Sequence, residues 1–220
     1  MNIASSIDHS FLKSTATIAD IENLCSEANE YRFRAICIPP LFVKKATEIL
    51  QNSKIKIATV TGFPFGYSAI EAKLAETVLA IVDGADEIDM VINIAALKNA
   101  DWQYLAKEAN TIMPIVKSKG RVIKIILETG LLNDNEIITC CDIYGAAGVD
   151  VVKTSTGFAG KGASVEAVRL LRRHLADAVK INASGSIKTY TSAKQLLDAG
   201  ANYISPDDAI QIVKEATVLN

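Results

Sequence analysis

Residues 122–152 read VIKIILETGLLNDNEIITCCDIYGAAGVDVV. Two short β-branched runs, Val122–Leu127 and Val149–Val152, flank a stretch, Asn135–Ala146, whose apolar residues recur at helical spacing. Asn133 and Asp134 stand where a helix start wants a side-chain cap. Strand, helix, strand in one direction is a parallel unit. The same alternation continues both ways. Strands are expected at Arg34–Ile38, Lys56–Val60, Glu87–Ile92, Val179–Ile181 and Tyr203–Ile204. Helices are expected at Ile18–Tyr31, Val43–Gln51, Ser68–Val82, Trp102–Lys117, Val165–Leu175, Ala193–Ala199 and Ala209–Ala216. A first strand near Ala4–Asp8 completes eight.

Eight evenly spaced units favour an α/β fold of the closed (β/α)8 TIM-barrel type over an open doubly wound sheet. No GxGxxG follows the first strand, which weakens a dinucleotide-binding reading. The 220 residues are fewer than the roughly 250 usual for such barrels, yet suit one domain over 1–220. Half the residues are hydrophobic, enough for one large core. The net charge of -2, with Lys and Arg scattered, points to no nucleic-acid or membrane partner. Apolar runs fall far short of the roughly 20 residues of a membrane span, and no secretory signal opens the chain. Four cysteines without metal-ligand spacing read as reduced thiols of a cytoplasmic protein.

Barrel chemistry sits at the C-terminal ends of the strands. There, Gly148-Val-Asp-Val-Val-Lys-Thr-Ser-Thr-Gly157 ends an apolar run in a lysine. Val149, Val151 and Lys153 share a face. If that face is the barrel interior, desolvation and nearby cations lower the pKa of Lys153 and supply the neutral amine that imine formation needs. The alternative is a lysine reaching solvent past a strand. In Ala85-Asp-Glu-Ile-Asp-Met-Val-Ile-Asn93, Glu87, Asp89 and Val91 share a face. An acid inside an apolar run is either a proton carrier, here through a water, or half of a structural ion pair. Lys124 and Lys180 could each depress the pKa of Lys153 or pair with Glu87 or Asp89. The Thr154–Gly157 turn, with Thr156 and Gly157, and the Gly185–Lys188 turn, with Gly185 and Ser186, are anion-binding candidates of a common type.

In order along the chain, Ile7-Asp-His-Ser-Phe-Leu-Lys13, Cys37, Thr59-Val-Thr-Gly-Phe-Pro-Phe-Gly66, the Ala85–Asn93 segment, Glu128-Thr-Gly-Leu-Leu132 and Val151-Val-Lys-Thr-Ser-Thr-Gly-Phe158 resemble the deoxyribose-phosphate aldolase family. The resemblance spans nearly the whole chain. It implies a class I aldolase barrel, with no metal or other cofactor, that joins or splits acetaldehyde and glyceraldehyde 3-phosphate through a lysine imine. It implies that Lys153 forms the imine, that Asp89 relays protons and that Cys37 lies near the pocket.

Two departures from the family stand out. Where the family has a second catalytic lysine, this chain has Asn182. Lys180 lies two residues earlier, roughly 7 Å along a strand, and could replace it only through a bulge. Otherwise it is a buried structural lysine paired with Glu87. At the phosphate end, Ser186 replaces a glycine and Ser205-Pro-Asp-Asp208 replaces Gly-x-Ser-Ser. Asp207 and Asp208 would repel a phosphate, unless they merely cap the last helix. The expected substrate is therefore a small aldehyde, sugar-phosphate-like or unphosphorylated. The alternatives are a diverged enzyme using the imine for condensation, cyclisation or dehydration, and a non-catalytic barrel. A homodimer is one assembly the fold allows.

Overall fold

The computed structural model describes residues 3–219. Eight parallel strands follow one another in order: β1 (Asp8–Ser10), β2 (Ala35–Ile38), β3 (Lys56–Thr61), β4 (Glu87–Val91), β5 (Val122–Ile126), β6 (Val151–Lys153), β7 (Lys180–Ser184) and β8 (Tyr203–Ser205). A parallel bridge from Ile7 to Ile204 closes β8 onto β1. Each strand pairs with the next without a bulge; Lys153 lies opposite Asn182 and Asp89 opposite Lys124.

The crossover helices are α1 (Ile18–Tyr31), α2 (Val43–Ile49), α3 (Ile70–Asp83), α4 (Ile94–Lys98), α5 (Trp102–Ser118), α6 (Asp134–Ala146), α7 (Val165–His174), α8 (Tyr190–Asp198) and α9 (Ala209–Leu219). Side-chain caps fix several starts. Thr17 with Asp20, and Asn133 with Glu136, form reciprocal capping boxes. The short α4, started by Asn93, was not expected from the sequence, because five residues are too few to show a period. Among the described residues no helix is long and apolar enough to cross a membrane.

The first strand is a correction. Ile3–Ser6 is a 3-10 helix, and the strand starts only at Asp8, because that is where pairing to Ala35 begins. Only Ala4 and Ile7 of the Ala4–Asp8 interval are apolar, and with Ile3 they are buried in the main core that the helices cover.

Period-2 alternation sends the two faces of the sheet to different surroundings. Outward, Ile36, Ile88, Met90, Ile123, Ile125, Ile181 and Ile204 are fully buried in the main apolar core that the helices cover. Each such side chain contributes about 2 kcal/mol by leaving water. Inward, the small cluster Cys37, Ala58 and Val60 leaves room for charge. Barrel interiors are usually filled by branched apolar residues. This one holds Asp8, Glu87, Asp89, Lys124 and Lys153 instead.

Candidate active site

Lys153 ends β6 with its side chain inside the barrel and 4% exposed. Its Nζ donates to Asp89 Oδ2 at 2.7 Å, and Cys37 Sγ lies 3.8 Å from the same oxygen. The contact is direct, where the sequence reading placed a water between them. Lys124 extends from β5 to Asp8 Oδ2 at 2.8 Å, Glu87 Oε2 at 2.6 Å and Asp89 Oδ1 at 3.4 Å. It therefore pairs with the acids and touches Lys153 only through Asp89. Asn182 donates through Nδ2 to Asp8 Oδ2 at 2.8 Å and accepts from Ser205 Oγ at 3.1 Å.

The electrostatics correct one expectation. Burial presses the Lys153 amine downward. The Asp89 carboxylate beside it outweighs burial and holds the amine above the ordinary lysine value. In the resting molecule Lys153 is an ammonium held by a carboxylate. Lys124 does press the amine downward, as expected of a neighbouring cation, but more weakly than Asp89 holds it up. Burial pushes the Cys37 thiol up to about 12, and the neighbouring Asp89 charge adds to this, so it stays protonated.

Lys180 is a second correction. Its side chain is exposed at the barrel floor, neither buried against Glu87 nor bulged toward Lys153, because β7 stays in regular register from Val151↔Lys180 to Lys153↔Asn182. Its exposed position also removes it as a source of positive charge beside Lys153.

Above Lys153 lies a cavity of about 140 Å³ at the mouth, lined by Leu12, Thr156, Gly157, Phe158, Ser184, Gly185 and Asp207 among others. Gly157 (φ 86°) and Gly185 (φ 80°) take left-handed conformations that glycine tolerates, and a Cβ on Gly185 would sit 3.3 Å from Gly157 Cα. Of the candidates at this end, Asp207 lines the cavity. Asp208 caps α9 through Gln211 N at 2.9 Å, and Ser186 is exposed outside the lining. Asn182, Cys37 and Lys124 lie beneath the cavity, fully buried. Thr156 N donates to Glu128 Oε2 at 3.0 Å, and Thr156 Oγ1 bonds the same oxygen. Burial raises the pKa of Glu128. A neighbouring cavity of about 320 Å³ shares Thr156 and Phe158 as a wall and is faced by Pro64, Phe65, Tyr67, Ile94 and Leu131.

Two participants escaped the sequence reading. Asp8, quoted only within the Ile7–Lys13 stretch, anchors β1 to β5 and β7 across the lumen. Arg34, which precedes β2, reaches into the barrel from below: Nε donates to Asp8 Oδ1 at 2.5 Å, and Nη1 and Nη2 to Glu87 at 2.7 Å each. A charge flanking an apolar run was the available signal, and it was absorbed into the strand.

Residues 3–204 match the profile of a family described as "DeoC/LacD family aldolase". The chain belongs to that family. The DeoC/LacD relatives include the deoxyribose-phosphate aldolase of Caldanaerobacter subterraneus, 47% identical over 216 residues, which are 98% of this chain and 94% of that one. That of Thermococcus gammatolerans is 44% identical over 218 residues, 98% and 97% of the two chains. Among solved structures, an aldolase named QR15 superposes with TM-score 0.93 at 34% identity, covering 99% of this chain and 97% of its own. The deoxyribose phosphate aldolase of Aeropyrum pernix, described as tetrameric, superposes with TM-score 0.92 at 32% identity, covering 99% and 92%. The expected family and barrel therefore hold. This DeoC/LacD member is a class I aldolase, a carbon–carbon lyase of a class that works through a lysine imine and needs no metal ion.

Proposed function

We propose that Lys153 forms the imine, that Asp89 carries its protons, and that the acceptor is an unphosphorylated aldehyde. The observation that carries the first two roles is the 2.7 Å contact between a buried amine and a buried carboxylate beneath a cavity open at the barrel mouth.

As a donor aldehyde enters, Lys153 passes a proton to Asp89 Oδ2 and its lone pair attacks the carbonyl carbon. A second proton moves from the nitrogen to the former carbonyl oxygen, giving the carbinolamine, and Asp89 returns the first to its hydroxyl, which leaves as water. The resulting iminium cation sits where the ammonium sat, so the Asp89 carboxylate stabilises it. The iminium acidifies the adjacent C–H; Asp89 takes this proton and an enamine forms. The enamine carbon bonds to the acceptor aldehyde carbon, whose oxygen gains a proton. Water then hydrolyses the new iminium and restores Lys153. Cleavage runs the same steps in reverse.

Asp207 on the lining, where the cation present is the reacting Lys153 itself, favours an unphosphorylated acceptor. A carboxylate near a phosphate dianion costs on the order of several kcal/mol at an effective dielectric near 20. The apolar cavity behind Phe158 offers room for an uncharged tail. Addition assays with matched acceptors are expected to favour the unphosphorylated one, and Asp207→Ser to improve use of the phosphorylated one about tenfold, equivalent to ~1.4 kcal/mol. A strong preference for the phosphorylated acceptor in the unaltered enzyme defeats this part of the proposal.

The proposal includes a homodimer in the cytoplasm. Val78, Leu79 and Val82 form an exposed apolar strip on α3 suited to a second copy, and four free, buried thiols suit a reducing compartment.

A further inference from the structure

Inside the barrel, three carboxylates (Asp8, Glu87, Asp89) face three cations (Arg34, Lys124, Lys153). Position 182, opposite Lys153, is a neutral asparagine that gives Asp8 only an amide dipole. The third cation enters from the opposite end of the barrel. Arg34 spends all three donor nitrogens on Asp8 and Glu87, and its guanidinium lies 4.1 Å from the centre of the Tyr203 ring. A planar fork can hold two carboxylates in this way where an ammonium cannot.

The geometry points to Arg34 as a positioning residue for the Lys153–Asp89 pair: by neutralising Asp8 and Glu87 from the barrel floor, it leaves Lys124 able to share its charge with Asp89. This rests on the imine reading of Lys153. Lys124 reaches Asp89 only at 3.4 Å, and Asp89 Oδ1 has no hydrogen-bond partner there. Without Arg34, two bare carboxylates would draw Lys124 downward, away from Asp89. The lumen would also hold one excess negative charge.

The groups facing Lys153 fix the sign. They are Asp8 from β1, Cys37 from β2, Asp89 from β4 and Lys124 from β5, with Asp207 at the mouth and Glu128 engaged by Thr156. The inward residues of β3, β7 and β8 are neutral: Ala58 and Val60, Asn182 and Ser184, Ser205. An extra negative charge tightens the proton on Lys153, so less amine is free to attack at a given pH. This end of the relay touches no substrate and acts only through Asp8, Glu87 and Lys124.

The test is the rate at which borohydride fixes acetaldehyde on Lys153, read by mass spectrometry from pH 7 to pH 10. Arg34→Met is expected to slow fixation about tenfold at pH 8, as a one-unit rise in the amine pKa would, and to regain the unaltered enzyme's pH 8 rate near pH 9. Arg34→Lys, which keeps the charge, should lose less. Asn182→Lys should speed fixation, and Arg34→Met with Asn182→Lys should return close to the unaltered rate. Should Arg34→Met alone fail to fold, the double variant is compared with Asn182→Lys; equal rates overturn the inference, a slower double variant upholds it. An Arg34→Met profile that matches the unaltered enzyme, or a loss that neither pH nor Asn182→Lys repairs, also overturns it. No fixation in the unaltered enzyme at any pH would instead remove the imine reading itself.

Discussion

Two buried lysines in this molecule sit on buried carboxylates at nearly the same distance, and they behave oppositely. Lys73, on α3, donates to Glu108 of α5 at 2.6 Å and to the Val91 carbonyl at 2.7 Å, outside the sheet. Lys153 donates to Asp89 at 2.7 Å, inside it. Burial outweighs the Lys73–Glu108 attraction, so the Lys73 amine is held below its ordinary value and the Glu108 carboxyl above. Around Lys153 the attraction of Asp89 outweighs burial instead. By pKa alone, Lys73 is the better nucleophile. Yet its side chain is fully buried between the helices, out of solvent's reach, whereas Lys153 faces the mouth. An amine with a lowered pKa but no access does no chemistry; a charged one beside a proton acceptor can be freed when substrate arrives.

The widest separation between the two lysines is expected in chemistry. Lys153→Ala should abolish borohydride fixation and lower kcat/KM by about 10^4-fold or more, the scale of losing a nucleophile. Lys73→Met should leave fixation intact. Activity that survives Lys153→Ala would erase the distinction.

Stability should invert the order. Lys73→Met strands Glu108 among apolar side chains and is expected to cost about 3 kcal/mol in urea unfolding. Lys73→Met with Glu108→Leu should cost less than the single change, because no unpaired polar group is left behind. A double variant at least as unstable as Lys73→Met alone would mean that the cost lies in losing the pair itself rather than in an unpaired Glu108.

The smallest expected effect is in alkaline titration of stability. The Lys153 amine binds its proton more tightly when folded, so its contribution is full below about pH 10.5 and fades as pH rises through its folded value. The Lys73 amine binds its proton more weakly when folded. Its contribution therefore grows as pH climbs from its folded value toward about 10.5. Stability differences against Lys153→Met and Lys73→Met, measured by denaturant unfolding between pH 9 and 12, should have opposite slopes, each below about 1.4 kcal/mol per pH unit.

Much of this was legible from local pattern. The β-branched runs located seven strands because the faces turned to the helices are apolar, and the first was misplaced because its start is set by pairing to Ala35, which no local pattern shows. Asp89 and Lys153 stood out as charges within apolar runs. Lys73 and Glu108 did not, because a charge on a helix reads as solvent-facing until the neighbouring helix is in place. Lys180 looked like a partner because it shares a face with Asn182, yet two residues along a strand separate the lumen from the floor.

By itself the sequence determined the alternation of strands and helices, and with it the parallel barrel, since hydrophobic period is a local property of the chain. It also marked the lysine and the aspartate that the barrel brings together. Only the tertiary structure decided that Asp8, Arg34, Glu87, Lys124 and Asp89 form one charge-balanced interior and that Lys153 rests protonated within it. Those contacts join residues up to 116 positions apart, and electrostatic balance depends on distances that no single stretch of chain encodes.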